Sequence, residues 1–256
     1  RSLVGAGIVV NAPNVLIRHL RFRVGDRPEG PEPEARDGIS VVAPPFSSTG
    51  VFNVVIDHCS VAWAVDEGMS NWGSHVSDIT FSRCIIAENL SRSLHPEKEH
   101  SKGLLIGDDA RRVAVIGNLF AHNMKRNPFV KGNVSALIAN NVIYNPGTAA
   151  IHFGDLENSG PALGTVVGNV LLPGPDTRRL LPLVRLQMDM HSQTRVYALD
   201  NDPGGRALMR WIAAQNRYWP PCMIARIPCA CWTSCATSMR VALPCHGARF
   251  SPEDML

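Results

Sequence analysis

VAVIGNLFAHNMKRNPFVK, residues 113–131, decides the fold, because it joins a repeated structural unit to a set of basic residues with catalytic potential. Alternation at Val113, Ala114 and Val115 reads as a short strand. Gly117 before Asn118 reads as a turn whose first residue accepts a positive φ. The irregular excursion that follows carries Lys125, Arg126 and Lys131.

Sliding that unit along the chain finds VLIRHL (15–20), VVIDHC (54–59), ITFSRC (79–84), VAVIGN (113–118), ALIANN (136–141), GTVVGN (164–169) and VYALDN (196–201). Their last residues are separated by 39, 25, 34, 23, 28 and 32 positions. Irregular intervals around a constant core argue for stacked coils, since a loop can lengthen without disturbing the strand beside it. The prediction is an all-β chain, a right-handed parallel β-helix over residues 1–204. Equivalent residues of successive coils then lie about 4.8 Å apart, so Asn118, Asn141, Asn169 and Asn201 form a side-chain amide ladder. Cys59 and Cys84 fall in the same column one coil apart, where stacked free thiols are expected ahead of a disulfide.

At 256 residues with 45% hydrophobic and 18% charged content, the chain can bury one sizeable core. A net charge of +3 without a basic run or an RNA-binding aromatic motif argues against a nucleic-acid partner. A locally basic cleft for an acidic substrate stays open. No apolar run reaches the roughly 18 residues of a membrane span. There is no signal peptide, and the opening RSLVGAGIVV reads as mid-coil, so the first coils are expected to be missing. Residues 205–256 break the pattern and hold Cys222, Cys229, Cys231, Cys235 and Cys245. Their spacings match no standard zinc pairing, a helix over 206–216 competes for the first part, and the remainder reads as a poorly folded tail, for which a frameshifted translation of the final coils is one explanation.

Residues 25–36, with their prolines and acids, are expected as an exposed loop. Residues 53–71 read as strand, turn and a second strand ending in the acidic pair Asp66 and Glu67, with Asp57 and His58 as structural hydrogen-bonders. Core packing is expected for Trp63 and Trp72, sugar stacking being the alternative. His95 and His100, in the polar loop 87–112, are expected to be solvated rather than metal-bound. Asp108 and Asp109 are expected to satisfy turn backbone groups.

With NVLIRHLRFR (14–23), DGISV (37–41), NVVIDHCSVAWAVDEG (53–68), DITFSRCIIAE (78–88), HSKGLLIGDD (100–109), NLFAHNMKRNPFVKG (118–132) and ANNVIYN (139–145) in that order, the chain resembles the pectate lyases of polysaccharide lyase family 1 over roughly residues 5–150. The resemblance implies a secreted or periplasmic, Ca²⁺-dependent β-helix enzyme. Its implied partner is an acidic polysaccharide, polygalacturonate or pectin, cleaved by β-elimination, and a monomer is expected. Carried over residue by residue, Asp37, Asp66 and Glu67 look like calcium carboxylates. Lys102 looks like the lysine on the substrate, and Arg126 like the catalytic arginine. Lys125 and Lys131 are taken as substrate-binding. Two positions depart from the family: Asn71 stands where a further acid is common, and Lys131 where a second arginine is common, which keeps the charge but loses the planar fork.

The chemistry suits these residue types independently. Elimination removes the proton from C5 of a uronate, beside its carboxylate, and expels O4, so cations near the carboxylate stabilise the developing charge. Arginine is an awkward base, holding its proton to about pH 12, but neighbouring cations and burial favour losing it, which predicts an alkaline optimum. Lys102 is the fallback base. Two other functions stay open on the same fold: an esterase with paired aspartates, and a non-catalytic β-helix that binds acidic polysaccharide.

Overall fold

The computed structural model describes residues 1–43 and 49–204. The cysteine-rich tail, with its five cysteines and its suggested helix, lies outside the described residues. The chain winds through three parallel sheets of seven strands, visiting each once per coil, as a right-handed parallel β-helix. The repeated unit forms one sheet, in which Val15, Val54, Ile79, Val113, Ala136, Gly164 and Val196 stand side by side. That is the register read from the sequence.

Each unit closes on a residue with positive φ: His19, His58, Arg83, Gly117, Asn140, Gly168 and Asp200, all between 50° and 66°. The left-handed residue turns the chain through a corner and aims the next side chain into the interior. Those next side chains include the asparagines. Asn118 Nδ2 donates to Asn141 Oδ1 at 3.0 Å, Asn141 to Asn169 at 2.8 Å and Asn169 to Asn201 at 2.9 Å, while each oxygen also accepts a backbone N–H from the coil before. The ladder therefore satisfies polar groups inside an otherwise apolar cylinder. Asn118 Oδ1 accepts from Cys84 N at 2.8 Å, and Cys84 and Cys59 continue the column as buried free thiols.

The core consists of inward-facing columns. Phe22, Val61, Ile86, Phe120, Ile143 and Leu171 line one sheet, and Ile56, Phe81, Val115, Ile138 and Val166 line the ladder sheet. Each such side chain contributes about 1.5–3 kcal/mol by leaving water. Asp57, buried on the ladder sheet, accepts from Arg18, Ser82 and Arg83 and lies 2.8 Å from His58, the structural role expected for it.

Several sequence expectations need correction. Glu67 opens the strand Glu67–Trp72 rather than ending one, because Val65 and Asp66 form a bend just before it. Trp63 and Trp72 are not core residues: they are 44% and 49% exposed, each with a cation over its ring, Arg23 at 5.9 Å and Lys131 at 5.2 Å. Trp72 lies close over Gly107, where a Cβ would come within 3.0 Å of the indole. His95 and His100 are buried and stacked at 3.5 Å instead of solvated. Asp108 and Asp109 bond side chains, those of Ser159 and Lys131 for the first and Asn133 for the second, rather than their own turn.

Candidate active site

The site grows from the outer face of the second sheet, which contains the strands Ile39–Val42, Glu67–Trp72, Lys102–Ile106, Phe129–Val130, Ile151–Phe153 and Val184–Leu186. Alternation along these strands sends Ile39, Val41, Met69, Leu104, Ile106 and Val130 into the core. The residues between them form an outward row, Ser40, Ser70, Leu105, Phe129, His152 and Arg185, one per coil.

Asp37 sits at the acidic end of this row. Its carboxylate accepts from Ser40 Oγ at 2.6 Å, Ser70 Oγ at 2.5 Å and Glu67 N at 2.9 Å. Asp37, Asp66 and Glu67, on two neighbouring coils, bring one carboxylate oxygen each to within 4.8 Å of one another. Burial pushes the carboxyls of Asp37 and Glu67 up from the ordinary range, with the charge of Asp66 adding to the rise at Asp37 and the charges of Asp37 and Asp66 to that at Glu67. Burial would raise Asp66 too, but the hydrogen bond with His100 and the charge of Lys102 hold it at about 2. A trio of hard oxygens in which two carboxyls are pushed toward protonation is short of positive charge. That donor set fits Ca²⁺, which takes oxygen ligands and favours carboxylates.

Three cations border the trio. Lys102 Nζ stands 3.3 Å from Asp66, 3.8 Å from Glu67 and 3.5 Å from Glu97, and is buried. Arg126 pairs through Nη1 with Glu67 Oε1, and its guanidinium carbon lies 5.5 Å from the centre of the Phe129 ring. Arg126 has φ of 63° and precedes the cis Asn127–Pro128 bond. Lys125 lies beside Lys102 in a parallel bridge and has no carboxylate partner among the described residues; burial, then Lys102 and Arg126, lower its pKa.

The structure thus brings together Asp37, Asp66, Glu67, Lys102, Lys125 and Arg126. It leaves Lys131 apart from them, held at 2.6 Å by both Asp108 and Glu157. Asn71 is fully buried, in register with the core residues Val41 and Ile106, so this departure from the resembled pattern faces the interior and takes no part in the carboxylate trio. His100 was missed as a site residue. Its Nε2 lies 2.6 Å from Asp66 Oδ1 and fixes that carboxylate, and the signal for it was HSK, which puts His100 two residues before Lys102. His95, His100 and Asp66 also bring one ligand atom each to within 4.8 Å of one another, and His100 positions the Asp66 carboxylate.

These features define the class: a parallel β-helix protein whose outer sheet face carries a carboxylate trio bordered by cations. Within that class the chain is a relative of the pectate lyases. It is 31% identical over 195 residues to a probable pectate lyase C of Aspergillus flavus, covering 76% of this chain and 41% of that protein. It is 33% identical over 167 residues to a probable pectate lyase C of Aspergillus terreus, covering 65% of this chain and 34% of that protein. A probable pectate lyase C of Aspergillus fumigatus is 28% identical over 196 residues, covering 77% and 41%. The chain spans about two fifths or less of the length of these curated relatives. No family model matches it. Among the described residues, no helix is long and apolar enough to cross a membrane, which does not bear on membrane β-barrels.

Proposed function

We propose that this β-helix is a secreted or periplasmic lyase that cleaves polygalacturonate by Ca²⁺-assisted β-elimination. The observation that carries the reading is the convergence of Asp37, Asp66 and Glu67 with Lys102, Lys125 and Arg126 on one sheet face. Asp37, Asp66 and Glu67 would hold the cation. Bound there, Ca²⁺ supplies positive charge to a uronate carboxylate as enolate character develops on it. Lys125, which has no carboxylate partner among the described residues, adds to that charge, and Lys102 keeps Asp66 and Glu67 in place.

Arg126 is the base. Freed from Glu67 and with its own proton lost to solvent, the neutral guanidine of Arg126 takes the C5 proton; the C5–H electron pair forms the C4–C5 double bond, and the C4–O4 bond breaks with O4 taking a proton from water. Trp72, exposed on the same sheet, offers a flat face to a sugar ring further along.

A second reading, a β-helix that binds acidic polysaccharide without cleaving it, draws on the same Glu67–Arg126 pair, which occupies the proposed base. The experiment that separates them is the ultraviolet absorbance of the product, because elimination alone creates a conjugated unsaturated uronate. Polygalacturonate incubated with the protein and calcium should gain that absorbance, and added chelator should stop it. Binding without any gain in absorbance would favour the non-catalytic reading.

A further inference from the structure

Past Phe129 the outward row continues for two coils that the proposed chemistry does not use. Phe129 stacks on His152 with ring centroids 4.4 Å apart and planes 12° from parallel. His152 stands in register with Arg185 on the next coil. His152 is 3% exposed and its Nδ1 lies 3.3 Å from the carbonyl of Ala150, so a neutral ring separates two arginines, Arg126 at one end and Arg185 at the other.

Arg185 differs from the other arginines of this face. Arg126 is paired with Glu67, whereas Arg185 has no ion pair among the described residues, and its Nε is buried without a hydrogen-bond partner. Leaving a buried donor unsatisfied costs about 1–3 kcal/mol, more for a charged group. Burial and the neighbouring charge of Arg178 both act against this guanidinium, lowering its pKa. A cation kept half-buried beside a like charge, on the face that carries the carboxylate trio, has no anion among the described residues.

We propose that Arg185 is a carboxylate-binding subsite for a second uronate of the same polysaccharide. Two coil spacings of about 4.8 Å set it roughly 10 Å beyond the Phe129 coil, so one acidic chain lying across the coils reaches both. The guanidinium forks onto the carboxylate through paired N–H donors. The site takes a run of uronates rather than a single sugar. This rests on the acidic-polysaccharide reading above and adds to it a requirement for length.

The test measures binding of the full chain to long polygalacturonate and to a galacturonate dimer, in wild type, Arg185→Gln and Arg185→Lys, with melting temperatures confirming the fold. Arg185→Gln should weaken polymer binding about tenfold, the loss of one charge-assisted contact, and leave dimer binding unchanged. Arg185→Lys should recover part of the loss. Equal polymer binding in all three proteins, or an equal loss on polymer and dimer, overturns the subsite. Wild-type turnover is followed in parallel. A wild type that binds polymer through Arg185 without eliminating it sinks the lyase reading alone, and one that eliminates without needing Arg185 sinks the subsite alone. A wild type that binds no polygalacturonate overturns both.

Discussion

Glu67 and Arg126, 59 positions apart in the chain, form an ion pair on the outer face of the β-helix, within the carboxylate trio. The pair gives one carboxylate two competing partners, the guanidinium and any cation held with Asp37 and Asp66. A cation held by the trio would therefore compete with Arg126 for Glu67.

The trio leads to a prediction about the metal. Burial raises the pKa of Asp37 and of Glu67, so protons compete with a cation for these oxygens and calcium should bind more tightly as pH rises. Asp37→Asn removes one charge while keeping an acceptor for the Ser40 and Ser70 hydroxyls. Titration calorimetry should show calcium affinity lowered by about tenfold or more in this variant, against little change in melting temperature. Unchanged affinity would remove Asp37 from the site.

The ladder can be tested separately. Asn141 accepts from Asn118 N and Nδ2 and donates to Val115 O and Asn169 Oδ1, all in a fully buried position. Asn141→Ala leaves buried groups of both neighbouring coils without partners and should cost roughly 2–4 kcal/mol. Urea unfolding measures it. A loss below about 0.5 kcal/mol, the range of ordinary surface substitutions, would mean that the ladder is ornamental.

A pH effect follows from His152. Burial, then the charge of Arg185, lowers its pKa to about 3, whereas the unfolded chain's histidine titrates near about 6.5. Between those values the unfolded state binds the proton and the folded state does not. The contribution of His152 is thus complete above about pH 6.5 and is lost as pH falls toward about 3, with a slope of up to about 1.4 kcal/mol per pH unit. His152→Asn should flatten the acid side of the stability curve between about pH 6 and 4. Parallel curves for the two proteins would show that His152 is not neutral in the fold.

Much of the fold was legible because the turn chemistry is local. A strand of alternating side chains, a left-handed residue and an inward asparagine recur within six positions, and pairing these units reproduces the register from Val15 to Val196. The trio and the three cations at its edge were legible only through resemblance, since no local pattern links Asp37 to Glu67 or Glu67 to Arg126. His100 and Arg185 were missed for another reason. The role of His100 depends on how residues 88–101 fold back over Asp66, and that of Arg185 on which coil it joins, and loop lengths carry neither. Trp72 was misjudged because an aromatic at a strand end reads as core until the facing Gly107 is seen to leave it room outside.

The most direct test of the central claim is Arg126→Lys, assayed for turnover of polygalacturonate and, separately, for binding of calcium and polymer. Lysine preserves a charge able to meet Glu67 or a substrate carboxylate, but it shifts both the position and the basicity of the proposed proton acceptor. Loss of turnover by about a hundredfold or more, with calcium and polygalacturonate binding nearly unchanged, is the result predicted for a base. A variant that retains turnover and shows only a raised KM would contradict the account and make Lys102 the leading candidate.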